Sequence, residues 1–294
     1  MSFRFLLPLC EVDTCPNHQR VRPAFMIPPG RIVFNGRAHC SIDCFERSVE
    51  GASRQLMNSR PPRRRRTHRV PLGLVALQRG HITEERLREA LQAQRDSRRG
   101  RVGEWLRRVG GLSEEQVTQS LGIQWACPVF PLRQSQHYLQ AAEMVPFSIQ
   151  GSLRMMPVHF LEPGRILYVA FPDAIDTSAL YALERMLDCR THPCLADESA
   201  FEEALEKLRA RPRPHETSFD SLRDPVEMAR AARNHAIDLA AREARLVHCG
   251  DFLWMRLTGP ERVGHLAFKV ADSSPECRPW SPAAARDVSL GFTP

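Results

Sequence analysis

The sequence predicts an α+β protein of several modules, and three observations carry that prediction. Two pairs of cysteines flank turn-forming residues near the N-terminus, residues 71 to 124 repeat themselves, and apolar runs beyond residue 150 alternate with amphipathic stretches. At 294 residues and 43% hydrophobic content the chain is long enough for two or three domains, each with its own core. The expected order is a cysteine-rich head (1–57), a basic linker (58–70), a tandem helical repeat (71–124) and a small α+β unit (125–210). A second linker (211–223), a helix and β-hairpin module (224–270) and a Pro- and Ser-rich disordered tail (271–294) complete it.

In the head, Cys10 and Cys15 are separated by four residues and Cys40 and Cys44 by three, with a 24-residue segment between the pairs. Pro28-Pro29-Gly30, Ile32-Val33-Phe34 and Asn35-Gly36 read as a turn and a hairpin. After Cys40 the pattern becomes helical, with Ser41 as cap and Phe45, Val49 and Leu56 on an apolar face. Two thiolates from a loop and two from a turn entering a helix can surround one tetrahedral Zn2+. The segment His39-Cys40-Ser41-Ile42-Asp43-Cys44-Phe45 resembles the knuckle of treble-clef zinc fingers, which makes the head zinc-finger-like. Fifty residues with few large apolar side chains gain folding free energy from such a metal. Four-cysteine ligation is the expectation, with His18 and His39 as substitutes for one cysteine; four reduced, buried cysteines without metal are the alternative. With all four positions filled, no place is left for a catalytic water.

The arginines Arg60, Arg63, Arg64, Arg65, Arg66 and Arg69 cluster around Pro61-Pro62 and account for much of the formal charge of +7, since only Lys207 and Lys269 are lysines. Such a block stays solvated, as a linker or as a contact for the phosphates of nucleic acid. The Phe3-Arg4-Phe5-Leu6-Leu7-Pro8-Leu9 run is too short to span a membrane and no small-residue cleavage site follows it, so a soluble cytoplasmic protein without membrane insertion is expected.

Laid over residues 101–124, residues 71–94 match at one constant offset. Gly73 falls on Gly103, Gly80 on Gly110, Ile82 on Leu112, Leu87 on Val117, Leu91 on Leu121 and Gln94 on Gln124. Each copy reads as a short helix, a glycine stop and a second helix. Thr83 opens the second helix of the first copy, and Ser113 with Gln116 forms a capping box in the second. Two similar helical hairpins are expected to pack as a pseudo-symmetric pair.

This doubled pattern resembles the tandem motif of the N-terminal domain of type II secretion and type IV pilus ATPases, the MshE-type N-terminal domain. The resemblance implies a module that can bind cyclic di-GMP. Its leading arginine and terminal glutamine would engage guanine or phosphate while the leucines pack on the ligand. Carried onto this sequence, the residues are Leu72, Gly73, Leu87, Leu91 and Gln94 in the first copy and Arg101, Val102, Gly103, Val117, Leu121 and Gln124 in the second. Pro71 stands where the first copy would have its arginine, so ligand binding and a repeat kept for packing alone both stay open. Ala170-Phe171-Pro172-Asp173-Ala174-Ile175-Asp176 resembles the same family's Ala-x-x-Asp-Pro-x-Asp turn, and Asp173 is its candidate ligand-side residue.

Beyond the repeat, the expected elements are a strand at 128–132, a helix from about 144 to 151, strands at 155–160 and 166–170, a helix at 176–187, a strand at 191–195 and a helix at 198–208. A helix from about Asp224 to Ala244 and three apolar strand-like runs follow. No Gly-x-x-x-x-Gly-Lys-Ser/Thr loop, nucleophile elbow or His-Glu-x-x-His sequence occurs, so the expectation is a non-enzyme. The function expected is a regulatory or adaptor protein of a secretion, type IV pilus or motility system, with a protein of that machinery as partner. The alternative is a zinc-finger protein that binds nucleic acid through its basic segment.

Overall fold

Asn35 and Gly36 take φ angles of 47° and 81°, those of a tight hairpin turn, and join strand β3 (Ile32–Phe34) to strand β4 (Arg37–His39). The computed structural model describes residues 6–18, 20–23, 30–59 and 69–270. The expectations for Pro28-Pro29, for Arg60 to Arg66 and for the tail from 271 lie outside the described residues. Ahead of the hairpin, β1 (Leu6–Pro8) pairs antiparallel with β2 (Val21–Pro23). After it comes helix α1 (Ile42–Asn58), whose N-terminus is capped by Ser41, the hydroxyl oxygen accepting from the Cys44 amide at 3.2 Å.

Among the described residues the chain divides into two compact units. One joins the head to the residues from Trp125 onward, and the other is Arg69–Gln124.

In the first unit the head does not stand alone. Strand β3 pairs in parallel with β9 (Glu243–Cys249), placing Phe34 opposite Ala244, and so enters a six-stranded sheet ordered β4-β3-β9-β10-β11-β8. Here β8 is Glu216–Phe219, β10 is Phe252–Thr258 and β11 is Val263–Lys269; β8 and β11 run parallel, and β9, β10 and β11 are successive antiparallel neighbours. Asn35 reinforces the join, its Oδ1 accepting from the Leu246 amide at 2.9 Å. One face of this sheet is covered by α1 and by α10 (Pro225–Asp238). Phe34, Phe45 and Val49 share a core there with Met228, Ala232, Leu246 and Met255. The small side chains of Ala229, Ala232 and Ala236 let α1 approach α10 closely. Fully burying a Phe or Val contributes roughly 1.5–3 kcal/mol, so Phe45 and Val49 alone are a large share of what holds the head.

The second sheet of this unit, β5-β6-β7, uses β5 (Met156–Leu161), β6 (Ile166–Phe171) and β7 (Arg190–Leu195). β5 and β6 are antiparallel, and β6 and β7 are parallel across helix α8 (Thr177–Leu187). Short helices α6 (Tyr138–Ala141) and α7 (Phe147–Leu153), with α9 (Glu198–Arg209), complete it. The other unit holds two helical pairs: α2 (Leu72–Gln78) with α3 (Glu84–Ser97), and α4 (Val102–Arg108) with α5 (Glu114–Trp125). Among the described residues no helix is long and apolar enough to cross a membrane.

Several expected elements differ from those observed. Residues 128–132 are not a strand: Val129 makes a single bridge to Leu195, and Leu132–Gln134 turns as a 3-10 helix, because Pro128 and Pro131 withhold amides from any ladder. The helix expected from Asp224 to Ala244 ends at Asp238. Ala240 adopts φ 47° and the Ala241 amide donates to the Ala236 carbonyl at 2.8 Å, closing the helix without a glycine. The span 211–223 is not only a linker, since it contains β8, a polar strand ordered by its pairing with β11. Nor do contacts divide the chain at residues 57 or 224, where the head and the C-terminal strands share one sheet and one core.

Phe45→Ala is therefore expected to destabilise this unit by about 3–5 kcal/mol, read as a lowered urea midpoint of the β-rich transition. A loss below about 1 kcal/mol, within the range of surface substitutions, would contradict a shared core.

Candidate functional site: four cysteines and a doubled helical pair

Cys10 leaves β1 and Cys15 lies in the following turn, while Cys40 ends the β3-β4 hairpin and Cys44 sits in the first turn of α1. Their four Sγ atoms lie within 4.8 Å of one another, and this cluster can hold a metal ion. The Cys15 and Cys40 sulfurs are 3.5 Å apart and those of Cys40 and Cys44 3.9 Å, distances of free thiols rather than of disulfides. Cys10, Cys15 and Cys44 are buried. Asn17 serves the cluster twice, its backbone amide donating to Cys15 Sγ at 3.4 Å and its Nδ2 to Cys40 Sγ at 3.7 Å. Burial pushes the Cys44 thiol up to about 12 and raises that of Cys15. At Cys40 burial acts the same way, but the Asn17 amide and the neighbouring thiols outweigh it and lower its pKa.

Neither histidine joins the four. His39 is buried with both ring nitrogens engaged, Nδ1 2.9 Å from the Arg37 carbonyl and Nε2 2.7 Å from the Ser48 hydroxyl, and burial lowers its pKa. His18 Nε2 faces Asp13 at 3.5 Å.

In the helical unit, Pro71 and Arg101 occupy the same place, each the residue just before the first helix of its copy. Thr83 Oγ1 accepts from the Arg86 amide at 3.4 Å. Ser113 and Gln116 form the full reciprocal box, with bonds of 2.9 and 3.2 Å. The repeat departs from itself at the glycine stop. Gly80 has φ 72°, but in the second copy the positive φ, 79°, falls one residue later, on Gly111. Gly110 serves packing instead, since a Cβ there would lie 2.6 Å from the Leu106 carbonyl oxygen.

The sequence-predicted ligand residues separate into two groups. Leu72, Gly73, Leu87 and Val117 are buried; Leu72, Leu87 and Val117 belong to the core between the helices, and a Cβ on Gly73 would meet Leu87 Cδ1 at 2.6 Å while one on Gly103 would meet Val117 Cγ1 at 3.2 Å. Leu91, Val102 and Leu121 are half-buried around that core, and Arg101 is exposed. The two glutamines do equivalent work. Gln94 Nε2 donates to the Gly100 carbonyl at 3.3 Å and Gln124 Nε2 to the Val70 carbonyl at 2.7 Å. Each carbonyl immediately precedes the first motif position of the other copy, so the pair is closed reciprocally. Asp173 belongs to the other unit, where its Oδ2 faces Arg154 Nε at 3.5 Å. The aspartate that caps α8 is Asp176, whose Oδ1 accepts from Ser178 and Ala179 amides.

Residues 125–215 match the MshEN domain. The β5-β6-β7 sheet and its helices lie within this matched segment. The chain is also 28% identical over 136 residues to the Type IV pilus assembly ATPase PilB of Thermus thermophilus, an alignment covering 46% of this chain and 15% of PilB. It thus spans a small part of that relative's length. Among solved structures it is similar to MshE with cdg (TM-score 0.42, 28% identity, 48% of this chain and 99% of that one). It is similar as well to the N-terminal domain of XpsE (TM-score 0.36, 17% identity, 46% and 92%).

Sequence reasoning missed Glu216. Its carboxylate accepts from the Phe147 amide at 3.0 Å and from the Ser148 amide at 3.4 Å, capping α7 of the MshEN segment from β8. No local signal reveals a cap supplied 69 residues away.

Gly110→Ala is expected to destabilise the Arg69–Gln124 unit by about 1–3 kcal/mol, because backbone rather than a side-chain tip stands in the way. Gly73→Ala costs less, since the Leu87 methyl can move. Thermal unfolding followed by helical circular dichroism orders the two, and equal effects would contradict this packing.

Proposed function

We propose that this chain is a non-catalytic regulatory or adaptor protein of a bacterial type IV pilus or secretion system. Its four-cysteine cluster holds structural zinc, and its tandem helical unit takes cyclic di-GMP. The observation that carries the reading is the MshEN match at 125–215, directly following a doubled helical unit with the pattern of that family's tandem motif. The likeness to PilB favours the pilus or secretion machinery as the partner.

For zinc, the geometry of the sulfurs is the support. Four thiolates at about 2.3 Å from a tetrahedral ion stand about 3.8 Å from one another. The Cys15–Cys40 and Cys40–Cys44 separations of 3.5 and 3.9 Å bracket that value, and all four sulfurs lie within 4.8 Å of one another. Zinc is redox-inert and would cross-link the β1-β2 loop to the start of α1. The residues that hold it would be Cys10, Cys15, Cys40 and Cys44, with Asn17 donating to two of the sulfurs.

For cyclic di-GMP, the residues left at the surface of the helical unit are the ones with fitting chemistry. Arg101 supplies a guanidinium for guanine or phosphate, and Leu91, Val102 and Leu121 supply half-buried apolar surface beside Gln94 and Gln124. The buried Leu72, Leu87 and Val117 hold the helices in place beneath them. Pro71 leaves the first copy without the arginine, so recognition falls on one side of the pair.

Elemental analysis is expected to find one zinc per chain, lost in a Cys40→Ser, Cys44→Ser variant; a metal-free protein with native circular dichroism contradicts the zinc assignment. Titration calorimetry with cyclic di-GMP is expected to show saturable binding, weakened at least about tenfold by Arg101→Ala through loss of a charge-assisted contact. An absence of binding, or binding indifferent to Arg101→Ala, contradicts the ligand assignment.

A further inference from the structure

Strand β9 is paired along its whole length on one side and only at its start on the other. Against β10 the register runs from Glu243 to Cys249, but β3 faces β9 only at Glu243 and Ala244 before the chain turns away at Asn35-Gly36. A strand presents the amides and carbonyls of alternate residues to the same edge. On the β3 side these residues are even-numbered. The Ala244 carbonyl accepts from the Asn35 amide, and the Leu246 amide donates to Asn35 Oδ1, both at 2.9 Å. Next in that row come the Leu246 carbonyl and the amide and carbonyl of His248. None of the three has a hydrogen-bond partner among the described residues.

This open edge lies in a groove of about 870 Å³, lined by Leu246, Val247 and His248 together with Ala52 and Gln55 of α1 and Ala182 of α8. Tyr181 of α8 also lines it and stands 69% exposed. Native sheets cover or charge their edges, because a row of unpaired backbone groups is a template for another strand. The groove contains neither the four cysteines nor any residue of the tandem helical unit.

The sequence after Val270 supplies a matching strand. The Val270 amide donates to the Asp251 carbonyl at 2.8 Å, so the chain leaves the described fold next to Gly250, which lines the groove. Further on, Val288-Ser289-Leu290-Gly291-Phe292-Thr293 alternates apolar with small or polar side chains, the period-2 pattern of a half-buried strand, and holds no proline. Residues 271–287, with Pro275, Pro279 and Pro282, separate this run from β11 and reach up to about 55 Å at about 3.3 Å per residue.

We propose that residues 288–293 of the same chain add to the free edge of β9 in this groove, their backbone pairing with the Leu246 carbonyl and with the amide and carbonyl of His248. Main-chain bonds supply the pairing, and Val288, Leu290 and Phe292 present one apolar face. Tethering favours this segment over one from another molecule, since a linker of this kind holds it at an effective concentration on the order of millimolar.

Amide-resolved hydrogen exchange of the full chain is the test. The His248 amide is expected to be protected together with 288–293, and Leu290→Asp, which puts a charge on the apolar face, is expected to speed exchange at both by at least about tenfold. Gly51→Trp approaches from the groove. Gly51 is exposed in its lining and a Cβ there meets nothing within 4 Å, so an indole fills the groove without displacing α1 and is expected to release 288–293 to a similar degree. A His248 amide that is unprotected in the unsubstituted chain, or that exchanges equally fast in Leu290→Asp, overturns the proposal. So does protection at 288–293 that survives Gly51→Trp. Protection that rises with protein concentration as a dimer forms overturns it too, assigning the edge to a second copy.

Discussion

The burial of Phe45 and Val49 against the alanine face of α10 is the contact on which the larger unit depends. It needs α1 to start at the right place, and the four cysteines set that place. Cys40 ends the hairpin, Ser41 caps, and Cys44 turns its sulfur back to Cys10 and Cys15. Once α1 is anchored, the hairpin before it can lend β3 to β9, and Asn35 can accept from the Leu246 amide across 211 residues of sequence. A four-cysteine cluster, a helix cap and a parallel strand pairing thus form one connected arrangement. That arrangement explains how a head with so little apolar surface of its own can be ordered: most of its core is borrowed from the C-terminal sheet.

The helical unit shows the same economy at smaller scale. Repetition makes each copy's glutamine close the other copy's entry, Gln94 onto Gly100 and Gln124 onto Val70. Most positions that the resemblance assigns to ligand contact have structural work here, either in and around the core or in this closure, while Arg101 is exposed. The two uses are compatible on physical grounds, since half-buried Leu91 and Leu121 and the exposed Arg101 rest on the buried layer beneath them. The loss of arginine at Pro71 removes a side-chain donor without disturbing the fold, because that position precedes the helix and needs no amide.

What could be read from the sequence was what short-range chemistry dictates. Paired cysteine spacing, the Asn35-Gly36 turn, the Ser113 and Gln116 box and the constant offset of the repeat each lie within a few residues or one fixed interval. The features that escaped depend on distant partners or on single backbone angles. β8 is a polar run until β11 pairs with it, and the Glu216 cap exists only once β8 is placed beside α7. The end of α10 at Asp238 rests on Ala240 in a left-handed conformation that its side chain does not favour. The shift of the second glycine stop from Gly110 to Gly111 follows from packing on the Leu106 carbonyl, where either of two adjacent glycines could have served. Local patterning suggests separate modules at 1–57 and 224–270, but the pairing of β3 with β9 that joins them is encoded in neither segment alone.

The arrangement of these elements makes the cysteine cluster a support for the C-terminal sheet, acting through α1 and β3. Hydrogen exchange of the full chain before and after treatment with a strong metal chelator tests it most directly. Chelation is expected to remove protection from residues 30–59 and, with them, from the β9 to β11 amides at 243–269, while residues 69–124 keep theirs. Loss of protection confined to the head, with the strands at 243–269 unchanged, would contradict it.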